Sequence, residues 1–590
     1  MKNEKGFILA AVLAMTLLVM ILGTAAIKMS ELGYMAYGSG RKYQVAGTAS
    51  EFGLNTAIAS VVTNSACPAA ASGTVNTGGV NASYSYFSVS GGGYCFIHGK
   101  GTFGGATIVK TAVVPASVPA QLAAVVFRNG GHFDVGGSST IQNCNTTCRT
   151  PGVVYGGTVS NSINDINNDE SCTGAASEKG IYGSPNALQD KEGNACNSTS
   201  STCTGDPLSD RIPELFNSTD WTSFKNDLAG NYNGFTIDVT NLSASGIPSV
   251  SGAPTVSSAC TCSCSVTLGT GTTTCCSGGA AKTISSCTEV KVDGALTING
   301  IPSSISTIVS TGNVTASGVT SSTGNFTNKS IFATGTAGIT MNDSEITLNN
   351  TSLVAGGGVS LTSFGTVSNS SKIVSEGTGG VSIAGSGTIS NSAIITTNAS
   401  GSVSKTGSSL ANTTIVSKND FNLDSGSGTL TDVDVFSKTI TVQSHPGSIA
   451  GGIFYSQGDT TFPATYSGTT TFGTVADPVL MLTGGDMIFN HTSGQTNFNG
   501  LVYAEGYISL RTTGNFDIRG AVVTNSNNTS STLSSDDKNK IKMNGQPAIT
   551  FRPDVLSTLA TDIGSKMKPV NCSGGSGRKT FITSTKITIY

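Results

Sequence analysis

Pairs of adjacent apolar residues recur about every 20 positions through the second half of the chain. Gly, Ser, Thr and Asn fill the intervals, and most pairs are followed by a second apolar pair before the next repeat begins. Repeats of this length that each supply two or three short strands are typical of a parallel β-helix, in which inward apolar positions stack from rung to rung. The doublets are Ile331–Phe332, Leu353–Val354, Ile373–Val374, Ile394–Ile395, Ile415–Val416, Val435–Phe436 and Ile453–Phe454.

A β-sandwich of short strands is the alternative interpretation of these pairs. A sandwich would place hairpin turns at intervals of about 8 to 12 residues, and it gives no reason for one doublet to recur at about 20. We therefore predict a right-handed parallel β-helix over residues 291–525. The same pattern at 121–142 predicts a first solenoid rung, with residues 143–290 as a cysteine-rich insertion and 526–590 as a C-terminal linker and short helix.

The N-terminal part of the chain has a different pattern. Phe7–Ile27 is an uncharged and mainly apolar run, which as a helix is long enough to cross a hydrocarbon core of about 30 Å. Apolar residues at helical spacing continue to Val62, so residues 7–62 are predicted to form one long N-terminal α-helix. Short alternating segments separated by glycines predict an antiparallel β-meander over 63–120. Helix and meander would form a small α+β head on a chain that is otherwise mainly β.

The junction between Gly6 and Phe7 resembles the processing site of a type IV prepilin. A short polar leader, residues 1–6, ends at the glycine, and the apolar run begins at once. In that family a membrane peptidase cuts after the glycine and the new N-terminal Phe is methylated, so the resemblance implies Gly6 and Phe7 as the processing site. Ala11 stands at the fifth mature position, where most pilins carry a glutamate, and this departs from major-subunit packing. A plain membrane anchor and a cleaved signal peptide are the alternatives.

Two further segments resemble the PilX-type minor pilins, namely Glu31–Ala36 and Ala46–Glu51. The resemblance implies a pilin-like head carrying the β-helix, inserted in the inner membrane by its N-terminal helix and then displayed on the cell surface or in a pilus. The implied partners are other pilins, the prepilin peptidase and the inner membrane. The β-helix would contribute adhesion to a host, surface or glycan ligand, or assembly of a filament tip.

Two other functions stay open at this point. A membrane-anchored adhesin or stalk would display the same β-helix without entering a filament. A carbohydrate-active enzyme is the third hypothesis, because some parallel β-helices are polysaccharide lyases or pectinase-like hydrolases. Such an enzyme needs carboxylates that converge on one face, and the acidic residues of the rungs do not recur at one position of the repeat.

Composition supports an exported, β-rich protein. Charged residues make up 11% and aromatic residues 6% of the chain, and glycine numbers 75. Low charge combined with regularly spaced β-branched residues argues against disorder. The net charge of −3 provides no basic footprint for nucleic acid, so no nucleic-acid partner is predicted.

Fourteen cysteines indicate an oxidising compartment and a set of disulfides. Cys67 and Cys95 are suited to tie the helix end to the sheet, whereas the other pairings stay open. Cys572 either reaches back to the first half, which holds an odd number, or stays unpaired. A thiolate metal site near Cys260–Cys264 is the less favoured alternative. The candidates are Cys67, Cys95, Cys144, Cys148, Cys172, Cys196, Cys203, Cys260, Cys262, Cys264, Cys275, Cys276, Cys287 and Cys572.

No catalytic constellation emerges from the sequence, and neither an enzyme activity nor a cofactor is predicted. The four histidines are scattered, and no nucleophile elbow or phosphate-binding loop occurs in a strand-to-helix context. Asp165, Asn167 and Asp169 copy the first three ligands of a calcium loop. Glu170 and Ala176 stand where the glycine and the bidentate glutamate are required, so a solvated acidic loop is the preferred interpretation.

Overall fold

The computed structural model describes residues 40–64, 67–115, the strands between 124 and 163, 188–189, 202–205, 215–563, 567 and 581–584, with short gaps inside the longer ranges. The chain divides into two compact units. The first, the head, comprises residues 1–121 and 573–590, and the second comprises 122–572. The second unit is therefore inserted into the chain of the first.

The head consists of an antiparallel sheet with one helix, α1 (Gly40–Asn64), packed on it. Its strands are, in order across the sheet, Ala71–Thr77, Val80–Gly91, Tyr94–Phe103, Ala106–Pro115 and Phe581–Ser584. The last strand pairs with Ala106–Pro115, the strand after which the chain leaves the head. The C-terminal segment thus completes the sheet that the N-terminal segment begins.

Small residues let α1 approach the sheet closely. Gly101 has no Cβ, and one built there would lie 2.0 Å from the carbonyl oxygen of Ala46. The hydroxyl of Ser50 donates to the carbonyl of Gly99 at 2.7 Å, which satisfies this buried group. Leu54, Ala57 and Ile58 of the helix pack with Cys95, Ile97 and Ala112 of the sheet in one apolar cluster.

The prediction of one continuous helix over 7–62 is wrong. Where the structure describes the chain, the helix runs from Gly40 to Asn64, and the other two α-helices are shorter: α2 (Trp221–Leu228) and α3 (Pro553–Asp562). The helical spacing that supports the prediction lies around Leu54–Val61, and the glycines before it weaken a longer helix. The head is accordingly a β-sheet with one 25-residue helix on its face.

No helix among the described residues is both long and apolar enough to span a membrane. This corrects the predicted location in the inner membrane through a helix over 7–62. The described helix α1 carries Arg41, Lys42, Gln44 and Glu51, which are unsuited to a hydrocarbon core. Residues 1–39 lie outside the described residues.

The second unit is a parallel β-solenoid, as the doublets predict, with three strand positions per full rung that we name faces A, B and C. Face A contains Val125–Phe127, Val153–Tyr155, Leu188–Gln189, Thr261–Cys262, Glu289–Val292, Thr307–Ser310, Ser330–Ala333, Ser352–Ala355, Lys372–Ser375, Ala393–Thr396, Ile453–Ser456 and Val479–Thr483. Face B contains Gly130–Val135, Gly157–Ile163, Val266–Leu268, Leu296–Ile298, Val314–Ala316, Ile339–Asn342, Val359–Ser363, Val381–Ile383, Val403–Lys405, Thr460–Phe462 and Met487–His491.

Face C contains Thr140–Asn143, Asn325–Thr327, Thr347–Asn349, Thr366–Ser368, Thr388–Ser390, Ser409–Ala411, Leu430–Thr431, Ser448–Ala450 and Thr470–Phe472. Longer strands continue from one face to the next: Thr414–Leu423, Asp434–Val442, Gln495–Ala504, Ile508–Thr524 and Lys540–Phe551. Thr202–Gly205 pairs antiparallel with the face B strand Gly157–Ile163. Smaller elements are the three-stranded sheet Gly230–Tyr232, Phe235–Asp238 and Ser243–Ser245, the hairpin Thr274–Ser277 with Ala280–Thr283, and the 3-10 turns Val250–Gly252 and Ser258–Cys260.

The order of the rungs in space differs from their order in the sequence. On one side, Val125–Phe127 pairs with Val522–Thr524, which comes from the C-terminal part of the solenoid sequence. The strand Val153–Tyr155 then stacks on Val125–Phe127. At the opposite end, Thr261–Cys262 pairs with Lys291–Val292. Strands from the segment predicted as an insertion therefore occur at both ends of the stack.

The register of the doublets is confirmed along most of the stack. Successive pairings connect the first residue of each doublet from Ile331 to Val435. The last predicted doublet is wrong by one residue, since Val435 pairs with Phe454 rather than Ile453. Gly451, with φ of 68°, takes the left-handed turn position that Asp432 holds one rung earlier, and this turn sets the register of the next strand.

A repeated left-handed residue precedes face A and explains the polar residues between the doublets. Its φ is positive in Asn328, Asn350, Asn391 and Asn412, and asparagine tolerates this conformation because its side chain bonds locally. The amide of Asn350 donates to the Oδ1 of Asn328 on the neighbouring rung at 2.7 Å. The turns thus form a ladder of their own beside the sheets.

Buried hydroxyls end most strands of face A. Ser375, Ser417, Ser437 and Ser456 have fully buried side chains. Their hydroxyls donate to carbonyls of the turns at 2.5 to 2.9 Å, for example Ser375 to Gly357 and Ser456 to Gly458. These bonds satisfy carbonyls that the sheets leave inside the solenoid.

Candidate functional site

The predicted processing and calcium residues are not placed by the structure. Gly6 and Phe7, and likewise Asp165, Asn167 and Asp169, lie outside the described residues. In the described part of the chain, no group of three or more His, Cys, Asp and Glu side chains is arranged to hold a metal ion.

Disulfides are confirmed for Cys67, Cys95, Cys260, Cys262 and Cys287. Cys67 bonds to Cys95 with their Cα atoms 5.4 Å apart, which ties the end of α1 to the sheet as predicted. Cys260 bonds to Cys287 across 6.0 Å at the Thr261 end of the stack, and Cys262 is also disulfide-bonded. Residues 144, 148, 172, 196 and 572 lie outside the described residues.

Face C presents two outward columns of small polar side chains. The strands from Asn325–Thr327 to Thr388–Ser390 read polar, apolar, polar, and their central residue is buried in the solenoid core, as in Val367 and Ile389. Strand pairing aligns the flanking residues from rung to rung, so that Thr366 lies beside Thr388. The columns are Asn325, Thr347, Thr366, Thr388 and Ser409 on one side, and Thr327, Asn349, Ser368 and Ser390 on the other, where Ala411 follows on the next rung.

The two columns form a regular and uncharged array. Neighbouring strands of a sheet lie about 4.8 Å apart, and alternate residues of one strand about 6.6 Å apart. Every residue of the array is partly or fully exposed. The array therefore offers hydroxyl and amide groups, which both donate and accept hydrogen bonds, at nearly constant intervals.

Face B continues the same chemistry beside it. Most of its strands read apolar, polar, apolar, and the outward central residues pair with one another from rung to rung. This third column consists of Thr297, Thr315, Thr340, Ser360, Ser382, Ser404, Asn422, Thr441 and Thr461. We name the outward columns of faces B and C together the hydroxyl surface.

A separate acidic cleft of about 450 Å³ opens beside the turns that precede face A. Backbone and apolar groups of Gly451, Gly452, Ile453, Pro478 and Leu559 form part of its lining. Four carboxylates and one phenol complete it: Asp432, Asp434, Asp477, Asp562 and Tyr232. They come from the turn before Asp434–Val442 and the start of that strand, from a loop, from the end of α3 and from the strand after α2.

Burial and mutual repulsion shift the titration of this cleft. Burial, followed by the charge of Asp477, raises the pKa of Asp432 above its ordinary value. Burial, and then Asp477 and Asp432, likewise raise the pKa of Asp562. Burial together with Asp434 raises the pKa of Tyr232. A cleft of this kind is suited to the hydroxyls of a sugar, because carboxylates accept hydrogen bonds from them.

Sequence reasoning missed the cleft because its acids come from distant parts of the chain. Asp432 and Asp434 are among the acidic residues of the rungs that do not recur at one position of the repeat, and nothing in the sequence pairs them with Asp477 or Asp562. The hydroxyl surface, in contrast, has a visible signal. Threonine or serine on both sides of a single apolar residue recurs at the solenoid period, as in Thr366–Ser368 and Thr388–Ser390.

Comparison with known proteins does not assign this chain to a family. No protein-family model matches the chain, and no curated protein matches it. Among solved structures, the chain is similar to the competence-associated pilin ComZ from Thermus thermophilus, with 11% identity and a TM-score of 0.18. That alignment covers 90% of this chain and 95% of the ComZ chain. A TM-score of this size is too low to indicate a shared fold.

Proposed function

We propose that this chain is a pilin-like surface protein whose solenoid binds an extended polysaccharide. The observation that carries the proposal is the hydroxyl surface, with its aligned and uncharged columns on faces B and C. A ligand that repeats its own hydroxyl groups can form similar hydrogen bonds on successive rungs.

The chemistry of the surface favours a neutral, polyhydroxylated ligand. Ser, Thr and Asn both donate and accept hydrogen bonds, as sugar hydroxyls do. Their short side chains on rigid strands lose little conformational freedom on binding. Each contact is weak alone, but many contacts along one chain raise the apparent affinity.

The pilin-like part of the proposal rests on the N-terminal junction and on the head. The head combines α1 with an antiparallel sheet and a disulfide, and its sheet includes Phe581–Ser584 from the C-terminal segment. Mass spectrometry of the mature N-terminal peptide is the test. A chain that starts at Phe7, with a methylated N-terminus, is expected, whereas a start near Lys28 would contradict a prepilin.

Binding can be tested by pull-down of the full chain on insoluble polysaccharides, such as cellulose, chitin and bacterial cell-wall material. Thr366→Lys together with Thr388→Lys places two long charged side chains on face C. Ser360→Lys with Ser382→Lys is the matched pair on face B. We expect binding to at least one polysaccharide, and a loss of at least about tenfold in one of the two variants, since each disrupts several hydrogen bonds.

Two outcomes would contradict the proposed binding. One is that the wild-type chain is retained on none of the polysaccharides. The other is that both double variants bind as tightly as wild type, since the hydroxyl surface would then not be the site. Far-UV circular dichroism of each variant confirms that the solenoid is intact.

A second candidate function, a carbohydrate-active enzyme, is favoured by the acidic cleft. Glycoside hydrolysis requires two carboxylates near one glycosidic bond, of which one has a raised pKa and serves as the acid. Asp432 and Asp562 have raised pKa values, and two further carboxylates lie in the same cleft. A screen for new reducing ends tests this candidate. Product that persists in an Asp432→Asn, Asp562→Asn double variant would exclude the cleft as its source.

A further inference from the structure

One segment of the second unit runs along the outside of the solenoid. We name residues 216–252 the strap. It follows the first rungs in the sequence and precedes Thr261–Cys262, the strand at the opposite end of the stack. The chain therefore uses the strap to travel from one end of the stack to the other before it builds the rungs between them.

The aromatic contacts of the strap are made with several rungs. Trp221 stacks on Tyr503, with ring centroids 5.3 Å apart, and lies 6.0 Å from Tyr455. Tyr232 contacts Phe436 edge-on at 5.3 Å. These three partners occupy the same outward position of face A on different rungs.

Polar contacts continue the attachment along the stack. The side-chain amide of Gln457 donates to the carbonyl of Thr240 at 2.6 Å, and the ammonium of Lys418 donates to that of Asn241 at 3.0 Å. Farther along, the backbone N–H of Val250 donates to Glu376 at 2.8 Å. The strap is thus held by rungs from residue 376 to residue 503.

The outward column of face A is apolar and buried, in contrast to the hydroxyl surface. Because side chains alternate along a strand, one residue of each doublet must point away from the core. Its members are Val309, Phe332, Val354, Val374, Ile395, Val416, Phe436, Tyr455, Leu482 and Tyr503. None of them is more than 6% exposed.

A bare solenoid is stabilised only between neighbouring rungs, so its rungs can open locally. The strap adds contacts that join rungs far apart, and its two ends continue into rungs at opposite ends of the stack. We propose that the strap is a brace that makes the rungs of the solenoid unfold as one cooperative unit. A rod that binds a surface under pulling force would need such coupling, because an open rung would otherwise break the array.

Hydrogen exchange followed by mass spectrometry tests the brace in the full chain. Tyr232→Ala removes a strap contact near Phe436, and Thr222→Ala, at an exposed position on α2, is the control. We expect Tyr232→Ala to accelerate amide exchange at least about tenfold in Val435–Ser437 and by the same factor in Lys372–Ser375, three rungs away. The control should not change amide exchange in either strand.

A milder variant, Gln457→Ala, keeps the test valid if Tyr232→Ala fails to fold. It should accelerate amide exchange by the same factor in both strands, and this factor should be smaller than that of Tyr232→Ala. Acceleration confined to Val435–Ser437 would overturn the brace, because the loss of one strap contact would then affect only the rung at that contact. No acceleration in either strand, with Trp221 fluorescence showing a released strap, would overturn it as well.

Discussion

Lys405 is a charged residue in an apolar column of the solenoid interior. It pairs with Ile383 on one rung and Leu423 on the next, and its side chain is fully buried. The Nζ atom has no hydrogen-bond partner among the described residues. Burial lowers the pKa of the Lys405 ammonium from 10.5 to about 8.

The substitution Lys405→Met should stabilise the protein. Methionine has a similar length and is apolar, so the column stays filled. At neutral pH the folded wild type must keep a buried charge, and a pKa lowered from 10.5 to about 8 corresponds to a cost of about 3 kcal/mol. We therefore expect the free energy of unfolding at pH 7 to rise by about 3 kcal/mol in this variant.

The pH dependence gives a second and independent expectation. The folded-state pKa of Lys405 is lower than its unfolded value, so the unfolded chain binds more protons between pH 8 and 10.5. Wild-type stability should rise with pH across this window relative to the variant. The advantage of Lys405→Met should accordingly shrink as pH increases above 8, and stay constant below it.

Denaturant unfolding at pH 7 and pH 9.5, followed by the fluorescence of Trp221, measures both effects. Trp221 is the single tryptophan of the chain and lies on the solenoid unit. Lys438→Met, at an exposed position two rungs away, is the control and should change stability by less than about 0.5 kcal/mol. A Lys405→Met variant that is no more stable than wild type at pH 7 would refute the reasoning.

Three other changes test the fold and the cleft. Ile394→Asp buries an unpaired charge and should cost several kcal/mol in denaturant unfolding, while Asn398→Asp in the adjacent turn should cost less than about 0.5; equal losses would contradict the register. The raised pKa of Asp562 makes the protein less stable as pH rises above 3.8, so Asp562→Asn should raise the melting temperature at pH 7 but not at pH 3. Gly101→Ala drives a methyl group against the backbone of Ala46 and should destabilise the head by about 1 to 3 kcal/mol, seen as faster proteolysis of α1.

Much of the solenoid could be predicted because each rung repeats a local pattern. Ile394 and Ile415 occupy one column, as the spacing of the doublets indicates. The register at Ile453 could not be predicted from apolar residues alone, because Ile453, Phe454 and Tyr455 are adjacent and only the left-handed turn at Gly451 selects among them. The acidic cleft could not be predicted from the sequence, because its residues come together only in the folded stack.

The order of the rungs in space could not be predicted from the sequence either. A doublet such as Val125–Val126 can stack on any rung that offers an apolar column, since parallel strands pair without a local turn to fix the partner. In the structure it pairs with Val522–Val523, almost at the other end of the chain. A long-range pairing of this kind leaves no local pattern, unlike a hairpin, whose turn connects its two strands.

The sequence pattern of a single rung, in contrast, predicts which face of the solenoid is covered. Face C reads polar, apolar, polar, as in Thr366–Ser368, and only the central residue is buried. Face A reads as an apolar doublet, as in Ile373–Val374, although alternation allows only one of the two residues to reach the core. The second apolar residue therefore indicates that another part of the protein covers face A. The pattern does not indicate which part of the protein covers face A. In the structure the strap covers it, through contacts that include the aromatic residues Trp221 and Tyr232.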